Sequence, residues 1–152
     1  MIESLSPPVL AAYWPMREEP DLRPAFARWH ASGLVVALPC VVGPDVALSF
    51  RRWRPGVQMV RGPHGTHHPL PNEPVVPDLL ILPCLGFDAG CFRLGYGGGF
   101  YDRTLAGLAQ ARSVGVAYDD CEMTGFRPED HDRALDWVVT ERRRVPRAPP
   151  CR

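Results

Sequence analysis

The sequence predicts an α/β fold built on a mainly parallel sheet. Two observations carry that expectation. Residues 34–38 and 79–82 are runs of consecutive apolar residues, the composition of strands covered on both faces rather than the alternation of a half-exposed sheet. Residues 21–32 and 100–110 have helical spacing and stand among such runs, and strands separated by helices are what parallel crossovers require. A chain of 152 residues, 45% of them hydrophobic, suits one domain with one core. Residues 1–145 are expected to form it, with 146–152 as a disordered tail.

Taken in order, residues 9–14 are apolar and aromatic and read as a short buried strand that Pro15 ends. In residues 21–32, Asp21 is placed as the N-cap, Leu22, Phe26 and Trp29 share one face, and Gly33 supplies the stop. Residues 34–38 read as a strand ended by Pro39, and residues 46–53, which alternate less cleanly, as an edge strand or hairpin arm. Residues 54–77 hold six prolines and three histidines and read as a long ordered loop, a kind of segment that is often functional. Residues 79–82 form a third buried strand with Pro83 at its end. The helix at 100–110 places Tyr101, Leu105 and Leu108 on one side. Residues 114–118 and 137–140 are two further strands, and the last dozen residues read as a frayed tail. There are no internal repeats.

Charge and composition exclude several functions. Cations and anions balance at 17 each, so no global field draws the protein to nucleic acid or an anionic membrane. Every cation is an arginine. The absence of lysine excludes a Schiff base and a Walker-type lysine on phosphate. Five cysteines, Cys40, Cys84, Cys91, Cys121 and Cys151, form no CxxC pair and are odd in number, which reads as free thiols in a reducing cytoplasm. The N-terminus lacks the basic start and apolar stretch of a signal peptide, and no run approaches the ~18 apolar residues of a membrane span. His64, His67 and His68 invite a metal reading. No cysteine or carboxylate stands at ligand spacing beside them, so they are not assigned one. The run Arg142, Arg143, Arg144 is read as a solvated face.

The chemistry concentrates in Arg93-Leu94-Gly95-Tyr96-Gly97-Gly98-Gly99-Phe100-Tyr101-Asp102-Arg103. This segment follows a buried strand and opens a helix. Glycines allow backbone N–H groups to approach an anion, and the helix N-terminus adds partial positive charge. Arg93 could add a charge-assisted hydrogen bond, and Asp102 could hold magnesium through one carboxylate oxygen. The plainer alternative is a glycine-rich turn that caps a helix and binds nothing. A Walker loop is excluded because GK[ST] is missing. An RNA-recognition strand finds no alternating aromatics across Gly97-Gly98-Gly99 and no electrostatic help from the net charge.

That segment resembles the signature of the 5-formyltetrahydrofolate cyclo-ligase family, also called methenyltetrahydrofolate synthetase. Four further blocks agree in order and spacing. Tyr13-Trp14-Pro15-Met16 with Glu19 and Asp21 is similar to the first strand and folate-contacting turn. Gly65-Thr66-His67-His68-Pro69 resembles a loop that closes over folate, with His68 where a glutamate is common. Pro77 to Pro83 followed by Gly86-Phe87-Asp88 resembles the strand before the signature. His131-Asp132 and Leu135 to Glu141 resemble the C-terminal block. The resemblance implies a three-layer α/β/α fold of the NagB/RpiA/CoA-transferase-like kind. It also implies ATP- and Mg2+-dependent conversion of 5-formyltetrahydrofolate to 5,10-methenyltetrahydrofolate, in the cytoplasm, by a monomer or weak homo-oligomer.

Residue by residue, the resemblance implies that Arg93, Leu94, Gly95, Tyr96, Gly97, Gly98, Gly99, Phe100 and Tyr101 line the nucleotide. Trp14, Met16, Glu19, Tyr96, Gly97, Gly98, Gly99 and Phe100 face the folate. Asp102 and Asp132 hold the magnesium, and Arg93, Tyr101 and Asp102 are the catalytic set. Trp14 as plain core and Glu19 as a helix-entry acid are the alternatives. Family members carry a helical segment ahead of the first strand whose lysine and arginine reach the phosphates. This chain starts almost at that strand, so the resemblance implies a shortage of those cations and leaves a second reading open: a non-catalytic relative that binds folate or nucleotide without turnover.

Overall fold

The computed structural model describes Ile2 and residues 7–149. The expectations for Cys151 and for the end of the tail lie outside those residues. In chain order the described elements are β1 (Val9–Ala11), α1 (Arg23–Ala31), β2 (Val35–Cys40), β3 (Ser49–Trp53), β4 (Met59–Arg61), β5 (His67–Pro69), β6 (Leu79–Pro83), β7 (Gly86–Phe87), β8 (Arg93–Leu94), α2 (Phe100–Gly107), β9 (Arg112–Val116), β10 (Trp137–Val139) and β11 (Arg144–Pro146). Seven strands form one sheet in the order β11-β10-β9-β6-β1-β2-β3. Its five inner strands are parallel to one another. The edge strands β3 and β11 run antiparallel to their neighbours.

Strand side chains alternate between faces, and the continuous apolar runs therefore supply two cores. Leu10, Val36, Leu38, Leu79, Ile81 and Val114 pack with Phe26 and Trp29 of α1 on one face. Ala11, Ala37, Leu80 and Leu82 pack with Phe50, Phe87 and Leu135 on the other, where Tyr101 and Leu105 of α2 and its C-cap Leu108 join them. Each fully buried Leu or Ile contributes about 1.5–3 kcal/mol. Helices on both faces of a mainly parallel sheet make the three layers that were expected.

The winding locates the crevice. The β1–α1–β2 crossover runs toward one edge, and β6–α2–β9 runs toward the other from the strand next to β1. Crossovers of one hand that travel in opposite directions put their helices on opposite faces, as α1 and α2 are here. The order reverses between β1 and β6, and in open α/β sheets ligands bind outside the carboxyl ends of the strands at such a point.

Several element boundaries differ from the expectation. β1 ends at Ala11 because the chain turns away after the Ala12 N–H donates to the Ala37 carbonyl at 2.9 Å. Pro39 does not end β2; it pairs opposite Phe50 of β3. The Ala37 carbonyl faces β1, so the missing N–H of Pro39, two residues on, falls on the same side past the end of β1. Asp21 is not the N-cap. Leu22 holds that position, while Asp21 Oδ1 accepts the Arg23 N–H at 3.0 Å. Helix α2 stops at Gly107 rather than 110, and β9 spans Arg112–Val116 rather than 114–118. Residues 54–77 contain a hairpin, β4 paired with β5; Pro69 lies opposite Met59, beside the Leu70 N–H bond to the Gln58 carbonyl at 2.8 Å, where its missing N–H would point away from β4.

The supposedly frayed end is also structured. β11 pairs with β10, and the Arg147 N–H donates to the Asp136 carbonyl at 2.9 Å. Arg143 is no merely solvated charge: it bridges Asp119 at 2.7 Å and also pairs with Glu122. Arg142 lies 3.6 Å from Asp120. Cys40, Cys84, Cys91 and Cys121 are free thiols. No helix among the described residues is long and apolar enough to cross a membrane.

Gly115 of β9 tests the packing of the second face. A Cβ there would stand 2.7 Å from Cys84 Sγ and from Leu135 Cδ1, closer than non-bonded atoms tolerate. Gly115→Ala is expected to destabilise the fold by about 1–3 kcal/mol through overpacking, read as a lower urea midpoint at unchanged slope. An unchanged midpoint would mean that Cys84 and Leu135 yield freely.

Candidate functional site

Two loops leave the sheet at the reversal, one after β1 and one after β6, and the tip of the β4–β5 hairpin meets them. The loop after β1 is closed by short-range bonds. Tyr13 Oη donates to the Pro20 carbonyl at 2.6 Å, Glu19 Oε1 accepts the Met16 N–H at 2.7 Å, and the Glu19 N–H returns a bond to the Met16 carbonyl at 3.0 Å. Arg17 adopts φ 49 in this tight turn, and its guanidinium lies 5.5 Å from the centre of the Tyr96 ring.

Glu19 is buried, 8% exposed. Burial pushes its carboxyl above the usual range, opposed by the Met16 N–H and by the Arg93 guanidinium. Burial likewise raises the phenols of Tyr13 and Tyr101, with Glu19 adding to the rise in both and Arg93 opposing it in Tyr101. The Cys84 thiol is pushed up to about 12 by burial, so it stays protonated. One carboxylate, one guanidinium and two phenols thus lie within electrostatic reach of one another in weakly solvated surroundings.

The loop after β6 is shaped by the pairing of β7 with β8, which sets Phe87 opposite Arg93. Asp88 Oδ1 accepts the N–H groups of Gly90 and Phe92 at 2.9 and 3.0 Å, closing the turn between those strands. Arg93 lays its guanidinium 5.0 Å from the centre of the Tyr101 ring, and its Nε is buried without a hydrogen-bond partner. A Cβ on Gly95 would stand 2.5 Å from Arg93 Nη1, so glycine at 95 makes room for that side chain. Gly97 and Gly99 take φ 87 and 69, the left-handed region that favours glycine. Gly99 is the N-cap of α2, whose first N–H groups lack intrahelical acceptors. Leu94 and Tyr96 are exposed at 45% and 49%.

Trp14 packs between core and hairpin: its ring is 6.4 Å from Phe26 of α1 and 6.4 Å from His67 of the hairpin. Met16 lies at the hairpin tip, since a Cβ on Gly65 would meet its Sδ at 4.0 Å. His64, at φ 60, sets its ring 5.8 Å from Phe100. His67 Nδ1 and His68 Nδ1 are buried without partners, and burial pushes the His68 imidazole below its usual range.

Asp102 Oδ1 accepts the Arg133 N–H at 3.2 Å, which ties the first turn of α2 to the segment that carries Asp132. Asp132 Oδ2 accepts the Glu129 N–H at 2.8 Å. One oxygen of each carboxylate is left for another ligand, Asp132 Oδ1 standing 3.6 Å from His131 Nε2. No cluster of three His, Cys, Asp or Glu that could hold a metal occurs among the described residues. Magnesium commonly takes one or two carboxylates and completes its shell with phosphate oxygens and water, and the free oxygens of Asp102 and Asp132 are donors of that kind. Sequence reasoning gave no role to Tyr13, Arg17, Cys84 or Arg103, all of which contact or couple to the predicted residues. Arg103 stood inside the quoted signature, next to Asp102, and that position was the available clue.

A doubly wound α/β sheet with a glycine bend and a buried carboxylate on either side of its switch point defines the class: an α/β protein of the kind that binds ligands at the carboxyl ends of its strands. Residues 3–141 match the model of the 5-formyltetrahydrofolate cyclo-ligase family, and the chain belongs to that family. The chain is 32% identical to the 5-formyltetrahydrofolate cyclo-ligase of Mycolicibacterium smegmatis, over 90% of this chain and 75% of that protein. It is 37% identical to the one from Escherichia coli, over 80% and 71%. The NMR structure of Aquifex aeolicus 5,10-methenyltetrahydrofolate synthetase superposes with a TM-score of 0.81 at 28% identity, over 99% of this chain and 77% of that one. The Mycoplasma pneumoniae synthetase, 22% identical, shares the fold at a TM-score of 0.69 over 88% and 73%.

Glu19 makes a pH test possible. Its folded-state pKa is raised, so the native protein binds the proton more tightly than the unfolded chain. Stability is therefore lost as pH climbs from the ordinary value of 4.5 toward the folded value. Glu19→Gln keeps an acceptor for the Met16 N–H and removes the charge. The variant should be more stable than the parent at pH 7, with the difference shrinking toward pH 4, in thermal unfolding followed at both values. A difference that grows on acidification would reverse the assigned sign.

Proposed function

We propose that the protein converts 5-formyltetrahydrofolate to 5,10-methenyltetrahydrofolate with ATP and magnesium, in the cytoplasm, where its free thiols are chemically at home. The observation that carries this reading is the meeting of two unlike half-sites at the β1/β6 reversal. On one side stand the Glu19 carboxylate, Trp14 and Met16; on the other stand Arg93 and the glycine bend. The two loops touch where the Arg17 guanidinium lies 5.5 Å from the centre of the Tyr96 ring, and the Arg93 charge opposes the upward shift of the Glu19 carboxyl.

The chemistry assigns each half a task. An amide-like formyl oxygen is a poor leaving group, and phosphorylation makes it a good one. The formyl oxygen attacks the γ-phosphorus of ATP, the bond to the bridging oxygen breaks, and ADP departs with that electron pair. N10 of the folate then attacks the activated formyl carbon, loses its proton, and expels phosphate as the ring closes. Glu19 accepts hydrogen bonds from the adjacent ring N–H and amino group of the pterin, with Trp14 and Met16 against its faces. Arg93, with Nε free of any protein acceptor, neutralises phosphate charge through charge-assisted bonds. The amides of residues 94–101 cradle the phosphates. Tyr101, held protonated by burial, serves as a donor in the same pocket. Asp102 and Asp132 would hold the magnesium ion, which supplies positive charge to the phosphate oxygens. The rest is positioning, the main contribution proteins make to phosphoryl transfer.

The decisive experiment is a spectroscopic assay for the methenyl product from 5-formyltetrahydrofolate, ATP and magnesium. Product that depends on both ATP and magnesium supports the reading. A folded protein that binds either substrate and yields no product would be the non-catalytic relative, a reading that the lysine-free composition favours. Asp102→Asn keeps an oxygen for the Arg133 N–H and should lower kcat by about 100–1,000-fold while leaving the thermal midpoint near that of the parent. Full turnover in that variant would remove Asp102 from the metal role.

A further inference from the structure

Arg103 stands one turn into α2 and has no carboxylate partner among the salt bridges of the described residues. Its guanidinium folds back toward the helix N-terminus. Nη2 donates to the Gly98 carbonyl at 2.8 Å, and the guanidinium carbon lies 5.1 Å from the centre of the Phe100 ring. The Phe100 ring in turn sits against the glycine bend, because a Cβ on Gly98 would be 3.0 Å from its Cδ2. A Cβ on Gly99 would be 2.9 Å from Arg103 Nη1. Gly99 is therefore glycine for two reasons, its φ of 69 and the guanidinium packed beneath it.

We propose that Arg103 is the positioning residue of the glycine bend: it holds the Gly98 carbonyl back so that the following amide faces the crevice. In a planar trans peptide the C=O and the next N–H point in opposite directions. Fixing the Gly98 oxygen on Arg103 thus turns the Gly99 N–H away from Arg103. Without that bond, a run of three glycines has little steric reason to keep one conformation, and its amides lose their common aim. The guanidinium also places a full positive charge under the bend, where charge-assisted bonds are stronger than neutral ones. Lysine serves this role poorly, since an ammonium offers no planar fork to stack on Phe100 while bonding a carbonyl. Arg103 is not assigned any contact with substrate. Its effect on nucleotide rests on the reading that the bend takes the phosphates of ATP.

Two measurements on the full chain separate the inference from that reading. The first uses no ligand: backbone NMR order parameters at Gly97, Gly98 and Gly99 in the parent, Arg103→Ala and Arg103→Lys. They should fall in Arg103→Ala in these residues and not in β6 or β9. Equal order parameters in parent and variant would overturn the inference, whatever the protein binds. The second is equilibrium titration with ATP and magnesium, with KM and kcat for both substrates. Arg103→Ala should weaken ATP about tenfold or more and be partly rescued in Arg103→Lys. ATP affinity unchanged in Arg103→Ala, with the parent binding ATP, overturns the positioning role. Failure of the parent to bind ATP overturns the proposed function, and with it the nucleotide half of this inference. If Arg103→Ala does not fold, Arg103→Gln, which keeps a donor without the charge, takes its place in both arms.

Discussion

Two crossovers of the same hand begin on neighbouring strands and wind apart, and the crevice between them is a geometric consequence. Every site residue depends on it. The turn that carries Trp14, Met16 and Glu19 is simply where β1 ends, and the loop that carries Arg93 and the three glycines follows β6. The two strands pair through Leu10–Leu79 and Ala11–Leu80. A short ladder in the middle of the sheet thereby fixes the spacing of two half-sites that lie some 70 residues apart in sequence. Leu10, Leu79 and Leu80 are all essentially inaccessible to solvent, so the rigidity of the core is passed directly to the crevice.

The polar groups gathered at the reversal come at a cost to stability. A carboxylate that burial makes reluctant to ionise and a guanidinium whose Nε finds no acceptor are both poor choices for a core. Both become sensible where a polar ligand completes them. Nearby apolar groups sharpen the effect: Tyr13, Tyr101 and Cys84 remain neutral and add little solvation. Pre-arranged polar groups in a weakly solvated pocket act strongly on a ligand's charge because they need not reorganise when it arrives.

Much of this was legible in the sequence, for identifiable reasons. The runs at 34–38 and 79–82 revealed buried parallel strands because strands covered twice cannot alternate. The cluster of glycines before Phe100 marked the bend because φ 87 and 69 lie in the region that glycine adopts most readily. Legibility failed where long-range pairing overrides local composition. Prolines hid the β4–β5 hairpin, although none occupies a ladder position that needs its N–H. Pro39 looked like a terminator, yet it lies where its missing donor has no neighbour to serve. Arginine-rich composition hid β11, because charge suggests solvent while Val145, 9% exposed, supplies the one inward anchor a three-residue strand requires. Arg103 escaped notice because its role lies in a bond to a carbonyl five residues back, which spacing alone does not announce.

β11 has a further consequence. A parallel sheet that stopped at β10 would present a bare row of amides and carbonyls to other molecules. Here the last strand is short, flanked by arginines, and carries Pro146 opposite Trp137, a residue unable to donate to any additional strand. Like charges repel a second copy, and the proline leaves a gap in the pattern that such a copy would need. The same arginines that make the segment look like loose tail therefore act as a guard on the sheet's rim, keeping lateral growth into aggregates in check at the border where an α/β sheet is most vulnerable.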